Sequence, residues 1–332
     1  MRNIGLVGLG FMGKTHLEAY RHLKNCRVTV ICSRNEVKDK DLIQNYNGSF
    51  VSDYEELVWN KEIDIIDICV PTFLHEEYII KAARAGKHVI CEKPLSLTME
   101  SANRIMNEVN KNDVKLFVGH VLRFWPAYKA IKSLSQTDKL KDIQIIHAKR
   151  LGQVPKWSDW FLYPEKSGGA LFDLHIHDID FVYYLLGAVE SVYAVGTKNK
   201  YGAWDHIMTT LTFMNKSKAF VEASQRMPTG YPFTMSLRAQ AIQGTLEFSL
   251  IAGENIEDIE DDANQFIYYH SEESSVLPVE RGDAFQNELS YFVNCIDKDE
   301  ENITVPLQDV LYTLKLLQAI EESLETGKQV SV

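Results

Sequence analysis

The chain has 332 residues, a length that implies about two domains and room for a sizeable buried core. Apolar residues make up 45% and charged residues 24%, with 18 glycines and 9 prolines, which excludes a low-complexity or disordered polymer. A net charge of -11, from 35 basic against 46 acidic side chains, would repel phosphate backbones, and no basic groove offsets it, so nucleic acid is not an expected partner.

The five cysteines, Cys26, Cys32, Cys69, Cys91 and Cys295, are odd in number and show no C-x-x-C spacing. Neither a disulfide framework nor a zinc site follows, and a reducing cytoplasm is the expected location. The first eleven residues carry one charged side chain and run into a glycine cluster, without the features of a signal peptide. No run approaches the roughly 18 apolar residues of a membrane span, so no membrane partner is expected.

Through about residue 120, short β-branched runs at 4–7, 27–31, 63–70, 88–91 and 115–118 alternate with helical patterns. Runs such as Ile65-Ile66 and Ile68-Cys69-Val70 are continuously apolar rather than alternating, as parallel strands covered on both faces must be. The pattern predicts an α/β fold with a doubly wound parallel sheet of the Rossmann type.

Directly after the first strand stands Gly8-Leu9-Gly10-Phe11-Met12-Gly13-Lys14-Thr15, which satisfies two patterns. As G-x-G-x-x-G, Gly8 makes the tight turn, Gly10 admits a pyrophosphate and Gly13 lets the helix pack on the strand, with Phe11 and Met12 at the phosphates. As G-x-x-x-x-G-K-[ST], Lys14 and Thr15 would serve a nucleoside triphosphate and magnesium, with Asp67 as the magnesium aspartate. The middle glycine favours the dinucleotide.

The second strand ends at Cys32-Ser33-Arg34, where an NAD-specific site would place an acidic residue on the ribose. Ser33 and Arg34 instead suit a 2′-phosphate, so NADP is the preferred cofactor and NAD the alternative. The competing reading is a solvated Arg34 beside Glu36 and Asp39. Further on, Cys91-Glu92-Lys93-Pro94 emerges where the fourth apolar strand ends, at the carboxyl edge of the sheet. Glu92 and Pro94 pin the backbone of Lys93, and a mere surface lysine needs no such support.

From about Lys141, strand patterns follow one another at 143–149, 189–197, 207–213, 219–224, 234–241 and 245–250, predicting a mostly antiparallel α+β second domain. The expected division is 1–122 and 123–332, with the C-terminal helix free to pack back on the first domain. The acidic stretch from Glu254 to Asp262 reads as a solvated loop. Two late helices, marked by Phe285, Leu289, Phe292, Val293, Ile296 and by Leu307, Val310, Leu311, Leu314, Leu317, carry apolar stripes.

Between the first two strands of the second domain, Gly168-Gly169 opens an apolar helical run in which Asp173, His177 and Asp180 recur at i, i+4 and i+7. A polar stripe on a buried helix means either a satisfied hydrogen-bond network or a site. His175, His177, Asp178 and Asp180 are also metal-ligand types, but His175 and His177 stand roughly 200° apart around a helix, so no metal is expected. Trp125, Arg150, Trp157, Trp160 and Tyr163 are candidates to line a hydroxyl-rich substrate, with a place in the core the alternative for each aromatic.

Taken together, Gly8-x-Gly10-x-x-Gly13, Pro71-Thr72 followed by His75, Glu92-Lys93-Pro94, Arg123-Phe124-x-Pro126, and Gly168-Gly169 leading to Asp173-x-x-x-His177-x-x-Asp180 resemble the glucose–fructose oxidoreductase, inositol dehydrogenase and MocA family. The resemblance spans essentially the whole chain. It implies that Lys93 is the catalytic lysine, with Asp173 and His177 its partners from the other domain. It also implies that Pro71, Thr72 and His75 flank the cofactor, that His120 and Arg123 lie near nicotinamide or substrate, and that Trp160 touches the nicotinamide. A large open sheet in the second domain, forming a homodimer or homotetramer contact, belongs to the same expectation.

The expected reaction is hydride transfer between NADP or NAD and a secondary alcohol or ketone of a small-molecule sugar, inositol or polyol. His177, with an ordinary pKa of about 6.5, suits proton exchange, Asp173 orients its ring, and Lys93 polarises the oxygen or relays the proton. The alternatives are an NAD-dependent glycosidase of the same fold and a catalytically inactive nucleotide-sensing regulator.

Overall fold

A computed structural model describes residues 1–34, 46–155, 158–253 and 264–332. Glu36, Asp39, Trp157 and the whole acidic stretch from Glu254 to Asp262 lie outside the described residues. Two compact units are formed, one by Met1–Trp125 with Gly282–Leu311, the other by Pro126–Arg281 with Tyr312–Val332.

The first unit is built on six strands: β1 (Arg2–Val7), β2 (Cys26–Cys32), β3 (Ser49–Val51), β4 (Ile65–Ile68), β5 (His88–Glu92) and β6 (Leu116–Gly119). They lie in the order β3-β2-β1-β4-β5-β6 with every pair parallel. Each residue of β4 and β6 is buried, as the unbroken apolar runs require. Helices α1 (Phe11–Arg21), α2 (Tyr54–Val58), α3 (His75–Arg84) and α4 (Met99–Lys111) connect the strands.

Local chemistry sets the ends of these helices. The Asp53 side chain accepts from the Glu55 amide and Thr98 from that of Ser101, supplying the caps of α2 and α4. In α3, Glu76 and Glu77 occupy the first turn and Lys81 and Arg84 the last, in accord with the helix dipole.

The order of the strands has a functional consequence. Val7 lies in register with Cys32 and Ile68, Ile68 with Cys91, and Cys91 with Val118. The segments following β1, β2, β4, β5 and β6 therefore leave the sheet in one row at its carboxyl edge. Strand order reverses between β1 and β4, the place where ligands of such sheets bind.

In the second unit come α5 (Pro126–Ser135), β7 (Ile143–Leu151), α6 (Pro164–Ser167) and α7 (Ile176–Leu186), and then β8 (Val189–Lys198), β9 (Trp204–Phe213), β10 (Lys218–Ser224), β11 (Thr234–Ala241) and β12 (Thr245–Ile251). β13 (Asn264–His270), β14 (Glu273–Val276) and β15 (Val330–Ser331) complete a nine-stranded sheet ordered β14-β13-β12-β11-β7-β10-β9-β8-β15. Only the β10–β7 pair is parallel. Alternation divides the faces: Ile146, Ala148, Ile207, Leu211, Ala219 and Val221 are buried, while Ile145, Tyr193, Val195, Met208 and Phe220 are exposed.

The late helices are α8 (Ala284–Asp297) and α9 (Leu307–Thr326). The first of these belongs to the Rossmann unit, where Phe292 packs with its ring centroid 5.0 Å from Phe117 and 5.6 Å from Phe124. No helix among the described residues is long and apolar enough to cross a membrane.

Candidate active site

The glycine loop takes the shape that a dinucleotide needs. Gly8 has φ +89°, and a Cβ there would stand 2.5 Å from the Cys69 carbonyl oxygen. A Cβ on Gly13 would collide with the Gly8 carbonyl, whereas one on Gly10 would meet nothing within 4 Å. Gly8 and Gly13 thus answer to packing within the chain. Gly10 caps α1 without a side chain, and the first turn holds no acidic residue, so no carboxylate opposes an anion at the positive helix end.

The triphosphate reading fails on two contacts. Thr15 donates its hydroxyl to the Phe11 carbonyl at 3.1 Å, inside the helix. Asp67 is fully buried, with Oδ2 2.8 Å from His16 Nδ1, so its carboxylate serves a histidine rather than magnesium.

Around that loop the row of segments assembles. Ser33 directly follows β2, its amide donating to the Val51 carbonyl at 3.0 Å, and Arg34 is exposed beside it. Pro71 caps the short turn Thr72–Leu74, in which Thr72 is buried. His75 is buried with its ring nitrogens 2.8 Å from the Pro94 carbonyl and 2.9 Å from that of Val70. It thereby ties the turn after β5 to the loop after β4, and burial holds its pKa below the usual histidine value.

Lys93 is half-buried and follows β5, with its amide donating to Glu92 Oε2 at 3.1 Å. The other Glu92 oxygen, Oε1, lies 3.1 Å from His16 Nε2. Burial opposes charge on Glu92, but the hydrogen bond and the charge of His16 overcome it and hold the carboxyl below its ordinary range. Burial likewise opposes charge on His16, yet Asp67 outweighs it and the ring titrates well above 6.5. Cys69 Sγ stands 3.4 Å from His16 Nδ1, and burial pushes its thiol up to about 12. His16 is the residue of this cluster that the sequence analysis did not single out.

His120 is buried just after β6. Arg123 is buried too, with Nη1 donating to Asp309 Oδ2 at 2.7 Å and to the Thr304 carbonyl at 2.8 Å. Its guanidinium joins two segments of the first unit. Trp125, at the end of the same turn, is half-buried.

In the second unit, the run expected as one helix divides into a π-helical turn, Leu171–His175, and the α-helix α7. The wider turn breaks the anticipated stripe. Asp173 and His177 remain half-buried, while Asp180 turns inward and accepts from Thr313 Oγ1 at 3.1 Å. Asp173 Oδ2 also accepts from Gln225 Nε2 at 2.7 Å. Gln225 was invisible to motif reasoning, because it lies just beyond β10 and no spacing links it to Asp173.

The other ligand-type side chains of that run have separate partners. Asp178 holds Arg150, whose Nε and Nη2 donate to its two oxygens at 2.8 and 3.3 Å, while Nη1 points to Met235 Sδ at 3.3 Å. Arg150 was expected to line the substrate, but it is 2% exposed and its guanidinium is committed to this pair. His175 is fully buried, its Nε2 2.9 Å from Thr209 Oγ1, its Nδ1 without a hydrogen-bond partner, and burial draws its pKa down to about 3. Trp160 is half-buried and stacks on Phe161 at 4.0 Å.

A parallel sheet ordered 3-2-1-4-5-6, with a glycine loop open at its second glycine, defines a dinucleotide-binding α/β protein. Residues 2–120 match the oxidoreductase family with an NAD-binding Rossmann fold, and residues 128–247 match the GFO/IDH/MocA C-terminal domain. The chain belongs to the GFO/IDH/MocA family of oxidoreductases.

Among its relatives, the uncharacterized oxidoreductase YrbE of Bacillus subtilis is 27% identical over 99% of this chain and 96% of its own. Myo-inositol 2-dehydrogenase of Thermotoga maritima is 27% identical over 99% and 98%. A crystal structure described as a putative NADPH-dependent oxidoreductase from Desulfitobacterium hafniense superposes with a TM-score of 0.87, at 22% identity over 99% of this chain and 97% of that one, and so shares the fold.

Proposed function

We propose that the protein transfers hydride between a nicotinamide dinucleotide, NADP in preference to NAD, and a secondary alcohol or ketone of a sugar, inositol or related polyol. The observation that carries this reading is Lys93: a half-buried lysine whose backbone is braced by Glu92, on the carboxyl edge shared with the open glycine loop. A relative named for myo-inositol oxidation supports the polyol class.

Amides at the N-terminus of α1 bind the pyrophosphate beside Gly10, with Phe11 and Met12 on the same turn. Ser33 and Arg34 hold the 2′-phosphate, and Pro71, Thr72, His75, Glu92, His120 and Trp160 shape the remaining cofactor site. A nicotinamide dinucleotide held there would supply the hydride acceptor or donor. Lys93 Nζ polarises the reacting oxygen, His177 takes or gives the hydroxyl proton, and Asp173 steadies the charged ring. Trp125 contributes apolar surface to the polyol, while Arg123 and Arg150 support the walls from behind.

The exposed row of Tyr193, Val195, Met208, Phe220 and Ile145 supports self-association through the open face of the nine-stranded sheet as a homodimer or homotetramer. Five unpaired thiols support a reducing, cytoplasmic setting.

The test is a substrate panel of myo-inositol, other polyols, aldoses and a chromogenic glycoside, offered with NADP and NAD and followed at the reduced-nicotinamide absorbance. Net reduction of the dinucleotide by a polyol or sugar is the expected result. Lys93→Ala and His177→Ala each lower turnover by about a hundredfold or more, while dinucleotide affinity survives. Glycoside cleavage without net reduction, or wild-type turnover in both variants, would overturn the reading.

A further inference from the structure

We propose that His16 is a positioning residue for Lys93, acting through the Glu92 carboxylate. The inference rests on the reading that Lys93 meets the substrate. His16 lies three residues beyond Gly13 on α1, the helix whose first turn faces the dinucleotide, and its ring is 1% exposed. Nδ1 is 2.8 Å from Asp67 Oδ2 and Nε2 is 3.1 Å from Glu92 Oε1. Ionised carboxylates only accept hydrogen bonds, so both ring nitrogens donate and the ring is an imidazolium between two anions.

Glu92 is consequently gripped at both ends. Its Oε1 accepts from His16 Nε2 and its Oε2 accepts from the Lys93 amide, so the carboxylate cannot rotate without breaking one of the two. The remaining neighbours of the ring leave it little freedom: Cys69 Sγ at 3.4 Å, Tyr20 edge-on at 6.5 Å and Phe285 tilted at 6.1 Å between centroids. An apolar side chain would fill this space as well for packing alone. A cation with two opposed donors does something packing does not: it joins the dinucleotide helix to the peptide that carries the lysine, and fixes where that lysine starts.

Two substitutions separate positioning from folding. In His16→Gln the amide nitrogen reaches the place of Nε2 and keeps the bond to Glu92, whereas in His16→Asn it reaches the place of Nδ1 and keeps only Asp67. With myo-inositol, or the panel member that the wild-type protein oxidises, His16→Asn should lower kcat by about ten- to a hundredfold. KM and dinucleotide affinity should stay within about threefold, and His16→Gln should retain kcat within about threefold. Equal kcat values in the two variants, whatever their melting temperatures, would overturn the inference.

If His16→Asn does not fold, Glu92→Gln in the wild-type background replaces it, with the same kcat loss expected and unchanged kcat decisive against. A readout that needs no substrate is acetylation of the Lys93 amine by acetic anhydride at pH 8, followed by mass spectrometry. Without the donor at Oε1, Glu92 is free to turn away from the Lys93 amide and the peptide that carries the lysine loses its brace, so labelling should quicken about threefold or more in His16→Asn and stay near wild type in His16→Gln. Unaltered labelling in both sinks the inference. Wild-type turnover in Lys93→Ala would instead sink the functional reading, leaving the labelling result to judge His16.

Discussion

Gln225 Nε2 donates to Asp173 Oδ2 across 2.7 Å, joining the end of β10 to the π-helical turn. The bond aims the carboxylate, which the proposed pairing with His177 requires. Gln225→Leu should lower kcat by about tenfold with a smaller change in dinucleotide affinity, since one neutral donor to a charged acceptor contributes about 1.5–3 kcal/mol. Steady-state kinetics beside a dinucleotide titration decide it. Unchanged kcat would mean that Asp173 needs no such support.

Arg34 follows the second strand and is exposed, so it would reach the proposed 2′-phosphate without cost of burial. Arg34→Ala should weaken NADP binding about tenfold and leave NAD within about twofold, by the loss of one charge-assisted contact. Fluorescence titration of the two reduced dinucleotides measures both. Equal weakening would remove the phosphate assignment.

The Arg150–Asp178 pair is buried on both sides, with side chains 3% and 1% exposed. Asp178→Ala leaves a guanidinium without its anion and should lower stability by about 3–5 kcal/mol. Replacing both, Arg150→Met with Asp178→Leu, should recover most of that. Urea denaturation of the three proteins is the check, and a mild effect of Asp178→Ala would show that the arginine finds another partner.

His175 gives a pH signature. Folded, its ring stays neutral down to about pH 3, while in the unfolded chain it protonates near pH 6.5. Between those values the unfolded state binds one more proton, so this residue's contribution to stability falls as the solution is acidified, by about 1.4 kcal/mol per pH unit. Above pH 6.5 it adds no slope. His175→Gln should therefore show a shallower loss of stability than wild type between pH 6.5 and 3, and parallel curves would contradict the neutral assignment.

The proposed self-association through the open face should respond to charge placed at its apolar centre. Met208 pairs across the ladder with Glu222 and Val195, and Phe220 with Thr210 and His147. Met208→Asp with Phe220→Asp should shift the protein to monomer mass in sedimentation, with the fold kept because both side chains face solvent. A wild-type monomer at micromolar concentration would dispose of the interface.

The readable parts were those where a residue type answers to its own neighbours in the chain. Continuous apolar runs announced the parallel strands, strand patterns following one another announced the second sheet, and the three glycines announced the loop, because each constraint acts within a few residues. Short β3 and the edge strands β14 and β15 escaped notice, since edge strands carry little apolar pattern, and β13 beside β14 escaped with them. The single stripe expected for Asp173, His177 and Asp180 assumed regular α-helix, and the π-helical turn sends Asp180 to Thr313 instead.

By itself the sequence determined the order of chemistry along the chain: a glycine turn, a hydroxyl and a cation after the second apolar strand, a lysine after the fourth, and an aspartate and a histidine four residues apart. What only the tertiary structure decided is which polar groups are held from a distance. His16 meets Asp67 and Glu92 across 51 and 76 residues, Gln225 meets Asp173 across 52, and Arg123 meets Asp309 across 186. No local rule encodes such pairs, because a buried charge selects whatever partner the packed backbone brings within hydrogen-bond reach.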